Sequence, residues 1–214
     1  MTADRGRDAG AGADRDRDAG ASADRDRDRA DRDAGADRAD DGAPTALVIT
    51  VSTRASRGEY TDRTGPVLVA ALRELGFATP DALVVPDLAD LGEESLGAAL
   101  RRGIAAATDV ILTTGGTGIT VDDVTADVTA EVARSLGGRD VPGIPEALRA
   151  AGVANGVPTA VLSRGLAVIV QRTLVVNLPG SQGAVEDAIA VLAPVLPHAV
   201  AELRRPGPDR MVVT

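Results

Sequence analysis

The residues best suited to chemistry form a short run of small and polar side chains, Thr113-Thr114-Gly115-Gly116-Thr117-Gly118, with Asp123 five positions beyond it. Glycines let a chain turn tightly and bring its amides close to an anion. A helix that starts just after such a loop aims its N-terminal dipole at the same point. The run has no Lys and so is no Walker loop, and it does not fit the dinucleotide fingerprint. Phosphate cradle and plain tight turn both stay open. A carboxylate beside a phosphate cradle is electrostatically awkward unless a cation stands between them. Mg²⁺, held by one or two carboxylates plus phosphate oxygens, resolves the conflict. Asp87, closing Val85-Pro86-Asp87, could supply the second carboxylate. Singly, each Asp reads as a helix cap; as a pair flanking a glycine loop they point to a metal–nucleotide site.

Two further loops carry phosphate-competent groups. Ser163-Arg164 offers a hydroxyl and a guanidinium, and Asn177-Leu178-Pro179-Gly180-Ser181 pairs a fixed turn with a serine placed as cap or donor. The single histidine, His198, falls in an apolar helical stretch, where a structural role is expected, and Tyr60 and Phe77 are assigned to packing.

Composition narrows the choice of chemistry. All 23 basic residues of the 214 are Arg, Cys is absent, and there is one His. Schiff bases, thiolate nucleophiles, zinc–sulfur sites and histidine metal clusters are thereby excluded. One Phe, one Tyr and no Trp leave no aromatic platform for stacking single-stranded nucleic acid. A net charge of −9 argues against nucleic acid in general. No apolar stretch reaches membrane-spanning length: the longest, Leu166–Leu178, is interrupted by Gln171 and Arg172. No secretory signal is visible, so a cytoplasmic protein is expected.

These residues need a scaffold, and the pattern supplies one from Thr45 onward. Strands are expected at 46–52, 82–85, 110–114, 159–163 and 174–177, and helices at 64–76 (capped by Asp62 or Thr61), 91–107, 123–136, 145–151 and 182–203. Alternation of this kind implies a mostly parallel sheet covered on both faces, with ligands bound beyond the carboxyl ends of the strands. Residues 1–44 are a repeat of Asp, Arg, Ala and Gly with no Leu, Ile, Val or aromatic residue. They have nothing to bury and are expected to be a disordered tail, followed by a domain over 45–205 and a short tail over 206–214.

Taken together, Tyr60-Thr61-Asp62-Arg63-Thr64-Gly65, Val85-Pro86-Asp87, Thr113–Gly118 with Asp123-Val124-Thr125, Pro142-Gly143-Ile144-Pro145-Glu146-Ala147-Leu148-Arg149, Leu162-Ser163-Arg164 and Asn177–Ser181 resemble the molybdopterin adenylyltransferase family of molybdenum-cofactor biosynthesis, the Mog/MoaB type, also found at one end of gephyrin. The resemblance covers about 46–203. It implies a three-layer α/β/α sandwich, usually a homotrimer, that joins molybdopterin to AMP from Mg-ATP and releases pyrophosphate. The product passes to the molybdate-insertion enzyme. It further implies that Thr114, Gly115, Gly116, Thr117 and Gly118 hold pterin-phosphate and nucleotide groups. Asp87 and Asp123 would be the acidic pair, acting through Mg²⁺. Ser163 would contact the molybdopterin phosphate, with Asn177, Pro179, Gly180 and Ser181 lining the same pocket. Where many relatives have Arg before the second aspartate, this chain has Asp122. A molybdopterin carrier or scaffold without transferase activity is the alternative reading.

Overall fold

The computed structural model describes residues 42–87 and 92–205. The tails expected over 1–41 and 206–214 therefore lie outside the described residues. Within them, six strands form one sheet in the order β2-β1-β3-β6-β5-β4: β1 Ala46–Val51, β2 Leu83–Val85, β3 Val110–Thr114, β4 Arg139–Asp140, β5 Ala167–Val170 and β6 Thr173–Leu178. Strands β2, β1, β3 and β6 run parallel, while β5 and β4 are antiparallel additions at one edge.

Side chains alternate between the two faces, as the pleat requires. Val48, Leu112 and Val176 point to one face, against α2 (Gly65–Glu74), α6 (Gln182–Leu192) and α7 (Leu196–Arg204). Ile49, Ile111 and Val175 point to the other, against α3 (Leu96–Ala105) and α4 (Thr125–Ser135). Both cores are almost purely aliphatic. The chain is a three-layer α/β/α sandwich with a mostly parallel sheet, as the sequence implied. Phe77 is buried in the first core, whereas His198 is exposed on α7.

Several expectations need correction. Residues 159–163 are not a strand but part of a 3₁₀ helix, Pro158–Leu162, where Pro158 fixes the first turn. The strand sits further on, in β5. Gln171 and Arg172, read as an interruption, are the turn of the β5–β6 hairpin, with Gln171 at φ 56°. The loop after β1 contains a short helix, α1 (Thr53–Ser56). Helix α3 starts only at Leu96, where the Ser95 hydroxyl accepts from the Ala98 amide at 3.1 Å. The last helix is two, α6 and α7, bent by 55°. No single helix among the described residues is long and apolar enough to cross a membrane.

The domain also begins slightly before Thr45. The Pro44 carbonyl accepts from the Ala78 amide at 2.7 Å, and the Gly42 carbonyl from Arg204 at 2.9 Å. The remaining helix, α5 (Gly143–Ala154), spans three residues more than expected at its C-terminal end and begins two earlier.

Candidate active site

Register decides where the site lies. Thr50 of β1 pairs with Thr114 of β3, and Thr114 with Leu178 of β6, so the three chains leave the sheet side by side. The Gly115 amide donates to the Leu178 carbonyl at 3.0 Å, and the Thr114 hydroxyl to the Pro179 carbonyl at 2.9 Å. Thr114 is thus spent on holding two strand ends together. The glycines are sterically required. A Cβ on Gly115 (φ 103°) would lie 2.4 Å from the Val51 carbonyl, and one on Gly116 (φ 60°) would lie 2.4 Å from Thr125 Oγ1. A side chain at either position would push the loop off the sheet.

Beyond the strand ends lies a cavity of about 710 Å³. Gly115–Gly118, Asp123, Ser163, Asn177, Pro179, Gly180 and Ser181 all line it. Helix α5 and the 3₁₀ turn supply an apolar wall through Pro145, Leu148, Val157 and Leu162, and Arg149 adds a cation. A flat heteroaromatic ring suits such a wall, and amides with a guanidinium suit its phosphate. Asn177 is a floor residue: it is 1% exposed, its amide donates to Thr113 and Thr129 hydroxyls at 2.9 and 3.0 Å, and its oxygen accepts from the Leu166 amide. The Ser163 hydroxyl accepts from the Gly165 amide at 3.3 Å and keeps its own proton to donate.

Arg164 does not offer its guanidinium to a ligand. It donates to the Gly118 carbonyl at 2.7 Å, to both oxygens of Asp127 at 2.9 and 3.1 Å, and to the Asp123 carbonyl. Its amide donates to the Thr117 carbonyl at 2.8 Å. Arg164 is therefore a clamp on the glycine loop.

The two aspartates sit differently. Asp123 faces the cavity and accepts from the hydroxyl and amide of Thr120 at 2.6 and 2.9 Å. The Thr120 hydroxyl, outweighing slight desolvation, and amides of Thr120 and Gly118 hold its carboxyl below the ordinary value. Asp87 lies behind the loop rather than on the cavity wall. Its carboxylate crowds the space beside Gly116, where a Cβ would meet its oxygens at 2.7 and 2.8 Å. It accepts one weak bond from the Val124 amide, at 3.4 Å. Burial, with smaller repulsion from Asp123 and Asp122, pushes it up to about 6 despite that bond. Thr125, fully buried against the same point, has a hydroxyl with no hydrogen-bond partner.

An under-coordinated carboxylate, a second one nearby and an orphaned hydroxyl form a donor set suited to a hard divalent cation. No group of three or more His, Cys, Asp or Glu side chains able to hold a metal occurs among the described residues. Ligand oxygens would have to complete the coordination.

Residues 47–198 match the family described as probable molybdopterin binding domain. The chain belongs to that family. It is 33% identical over 155 residues to the molybdopterin adenylyltransferase of Helicobacter pylori strain J99, covering 72% of this chain and 84% of that one. It is 39% identical over 173 residues to the molybdenum cofactor biosynthesis bifunctional protein of Synechococcus elongatus, covering 78% of this chain. The match spans only 51% of that longer protein. The solved structure of the molybdopterin biosynthesis Mog protein from Mycobacterium ulcerans is similar at TM-score 0.67 and 41% identity, covering 75% of this chain and 99% of that one.

A second, smaller pocket adjoins the first and escaped the sequence reading. It measures about 390 Å³ and shares Gly115, Gly180 and Ser181 with the large cavity. Tyr60, expected to pack, is 47% exposed here. The N-cap of α2 is Thr64 and not Asp62 or Thr61 as expected; Asp62, which also lines this pocket, sits two residues earlier and accepts from the amides of Thr64 and Gly65 at 3.0 Å.

Proposed function

We propose that this molybdopterin binding domain adenylylates molybdopterin in molybdenum-cofactor biosynthesis, taking AMP from ATP and releasing pyrophosphate. The observation that carries the reading is the pairing of the glycine loop, Gly115–Gly118, with the poorly partnered carboxylate of Asp87 at its back and Asp123 at its rim. The kinship with a named molybdopterin adenylyltransferase supports it.

In this reading the terminal phosphate of molybdopterin attacks the α-phosphorus of ATP. The bond from that phosphorus to the bridging oxygen breaks, and pyrophosphate leaves with the electron pair. The protein supplies no nucleophile. The loop amides and the α4 and α6 N-termini hold phosphate oxygens, Ser163 and Arg149 hold the molybdopterin phosphate, and the apolar wall takes the pterin. Positioning and charge neutralisation then carry the rate. Asp87 and Asp123, with the Thr125 hydroxyl behind them, would hold Mg²⁺, whose chemistry is to neutralise phosphate charge as it develops. A homotrimer acting in the cytoplasm and handing product to the molybdate-insertion enzyme belongs to the same proposal, supported by the family resemblance.

The test is direct. Protein incubated with molybdopterin and Mg-ATP should yield adenylylated pterin and pyrophosphate in equal amounts. Asp123→Asn should fold yet lose turnover. Tight molybdopterin binding without product would make the protein a carrier or scaffold instead.

A further inference from the structure

The smaller pocket is chemically unlike the cavity it adjoins. Its lining is mainly polar: hydroxyls of Thr50, Ser52, Thr64 and Ser181, with Arg54 and Arg63 at the mouth. Both guanidiniums lie over the Tyr60 ring, 5.8 and 5.7 Å from its centre. Stacking on an aromatic face orients a guanidinium while leaving its charge and N–H groups available. Neither Arg54 nor Arg63 makes an ion pair with a carboxylate among the described residues. Asp62 shares the pocket, but its carboxylate is fully occupied by the Thr50 and Thr64 hydroxyls and the Thr64 and Gly65 amides. Two exposed guanidiniums held on one ring, with no ion pair among the described residues, are free to take an anionic ligand between them.

The seam between the two pockets is bare backbone. Gly115 and Gly180 abut so closely that a Cβ on Gly180 would lie 3.0 Å from the Gly115 Cα. The N-terminus of α6 also opens here, where Ser181 makes no capping bond and its hydroxyl is left for a ligand. A phosphate chain can therefore pass from the glycine loop, over the seam, to the arginines without meeting a side chain.

The geometry points to this pocket as the seat of the nucleoside triphosphate's two terminal phosphates, and then of the departing pyrophosphate. The inference rests on the proposed adenylyl transfer and adds the direction in which the leaving group departs. When the α-phosphorus forms its new bond to the molybdopterin phosphate oxygen, the bridging oxygen leaves with its electron pair. Arg54 and Arg63 then receive the added charge of the pyrophosphate. The monophosphate of molybdopterin stays on the Ser163 and Arg149 side of the loop.

Tyr60 is the chain's one tyrosine, and there is no tryptophan, so its fluorescence reports on this pocket alone. Full-length protein is titrated with inorganic pyrophosphate and, separately, with inorganic phosphate, following Tyr60 emission and, in parallel, binding heat. Pyrophosphate should bind saturably, about tenfold or more tighter than phosphate. Arg54→Gln with Arg63→Gln should weaken it about tenfold to a hundredfold while far-ultraviolet circular dichroism stays unchanged. No saturable binding by either signal, equal affinity for phosphate, or an unaltered affinity in the double variant would overturn the assignment. Pyrophosphate binding that survives in a protein without adenylyl transfer activity would break the functional reading and leave the pocket standing.

Discussion

Two partly buried aspartates, at opposite ends of the sheet, show what this molecule does with negative charge. Asp109, just before β3, takes a two-pronged contact from Arg204, with both bonds at 2.8 Å. It also accepts from the Thr45 amide and hydroxyl at 2.7 and 2.9 Å. Burial raises its carboxyl, but the Arg204 and Thr45 bonds more than reverse that and hold it below the ordinary value. Asp87, beyond β2 at the other end, has one long bond and two acidic neighbours, and is pushed up to about 6. The same residue type is fully partnered where it ties Thr45 to Arg204 and starved where the glycine loop turns. In the proposed reaction, Asp87 is left ill-compensated for a cation that arrives with the ligand.

The comparison predicts opposite responses to one chemical change. The largest effect expected is on catalysis: Asp87→Asn should lower adenylyl transfer at least about a hundredfold, measured as pyrophosphate release at saturating Mg-ATP. Next is Asp109→Asn, which removes the poorly exposed carboxylate charge that Arg204 and Thr45 both bind. It should cost about 3 kcal/mol, read as a lower urea midpoint. In the wild type this contribution is present above the ordinary carboxylate value and fades as pH falls through the lowered pKa of the folded protein, so Asp109 is an acid-unfolding site.

Arg164→Gln should raise the KM for both substrates about tenfold and lower kcat less, because it loosens the loop without removing a reacting group. An equal fall in kcat would instead make Arg164 part of the chemistry.

The smallest effect is the most diagnostic. A carboxyl raised in the folded state stabilises the protein fully below pH 3.8, and that contribution is lost as pH rises through about 6. Asp87→Asn should therefore match wild type near pH 3.5 and be the more stable protein at pH 7.5. The gain is about 1 kcal/mol once its partial exposure is allowed for, visible as a few degrees in Tm. A loss of stability at pH 7.5 would mean that Asp87 is a structural partner like Asp109.

Asp87 was legible in the chain and Asp109 was not, because the meaning of Asp109 rests on Arg204, 95 residues away. The sheet, the glycine loop, Asp87 and Asp123 could be read because each sits at the end of an apolar run with turn residues behind it. The β5–β6 hairpin was hidden because its two polar turn residues, Gln171 and Arg172, resemble an interruption of one apolar stretch. Thr159–Ser163 carries β-branched residues and so looked like a strand, yet Pro158 and the packing of Ala160 against Gly152 make it a 3₁₀ turn. Arg149 and Arg63 entered only as members of longer motifs and Arg54 not at all, because an arginine says little by itself in a chain whose basic residues are all Arg. Their meaning depends on which carboxylates they fail to meet, and that is set by tertiary structure. The Tyr60 stack joins residues across a loop of irregular backbone, where no periodicity gives a signal. Arg164 misled for the opposite reason: its residue type suits phosphate, but Asp127 and two loop carbonyls claim it first.

The most direct test assays wild type, Asp87→Asn and Asp109→Asn side by side for pyrophosphate release from molybdopterin and Mg-ATP, with activity normalised to folded protein. Asp87→Asn should be folded and inactive, and Asp109→Asn should be less stable but, per folded molecule, as active as wild type. An active Asp87→Asn protein, or wild type that makes no product, would contradict the account.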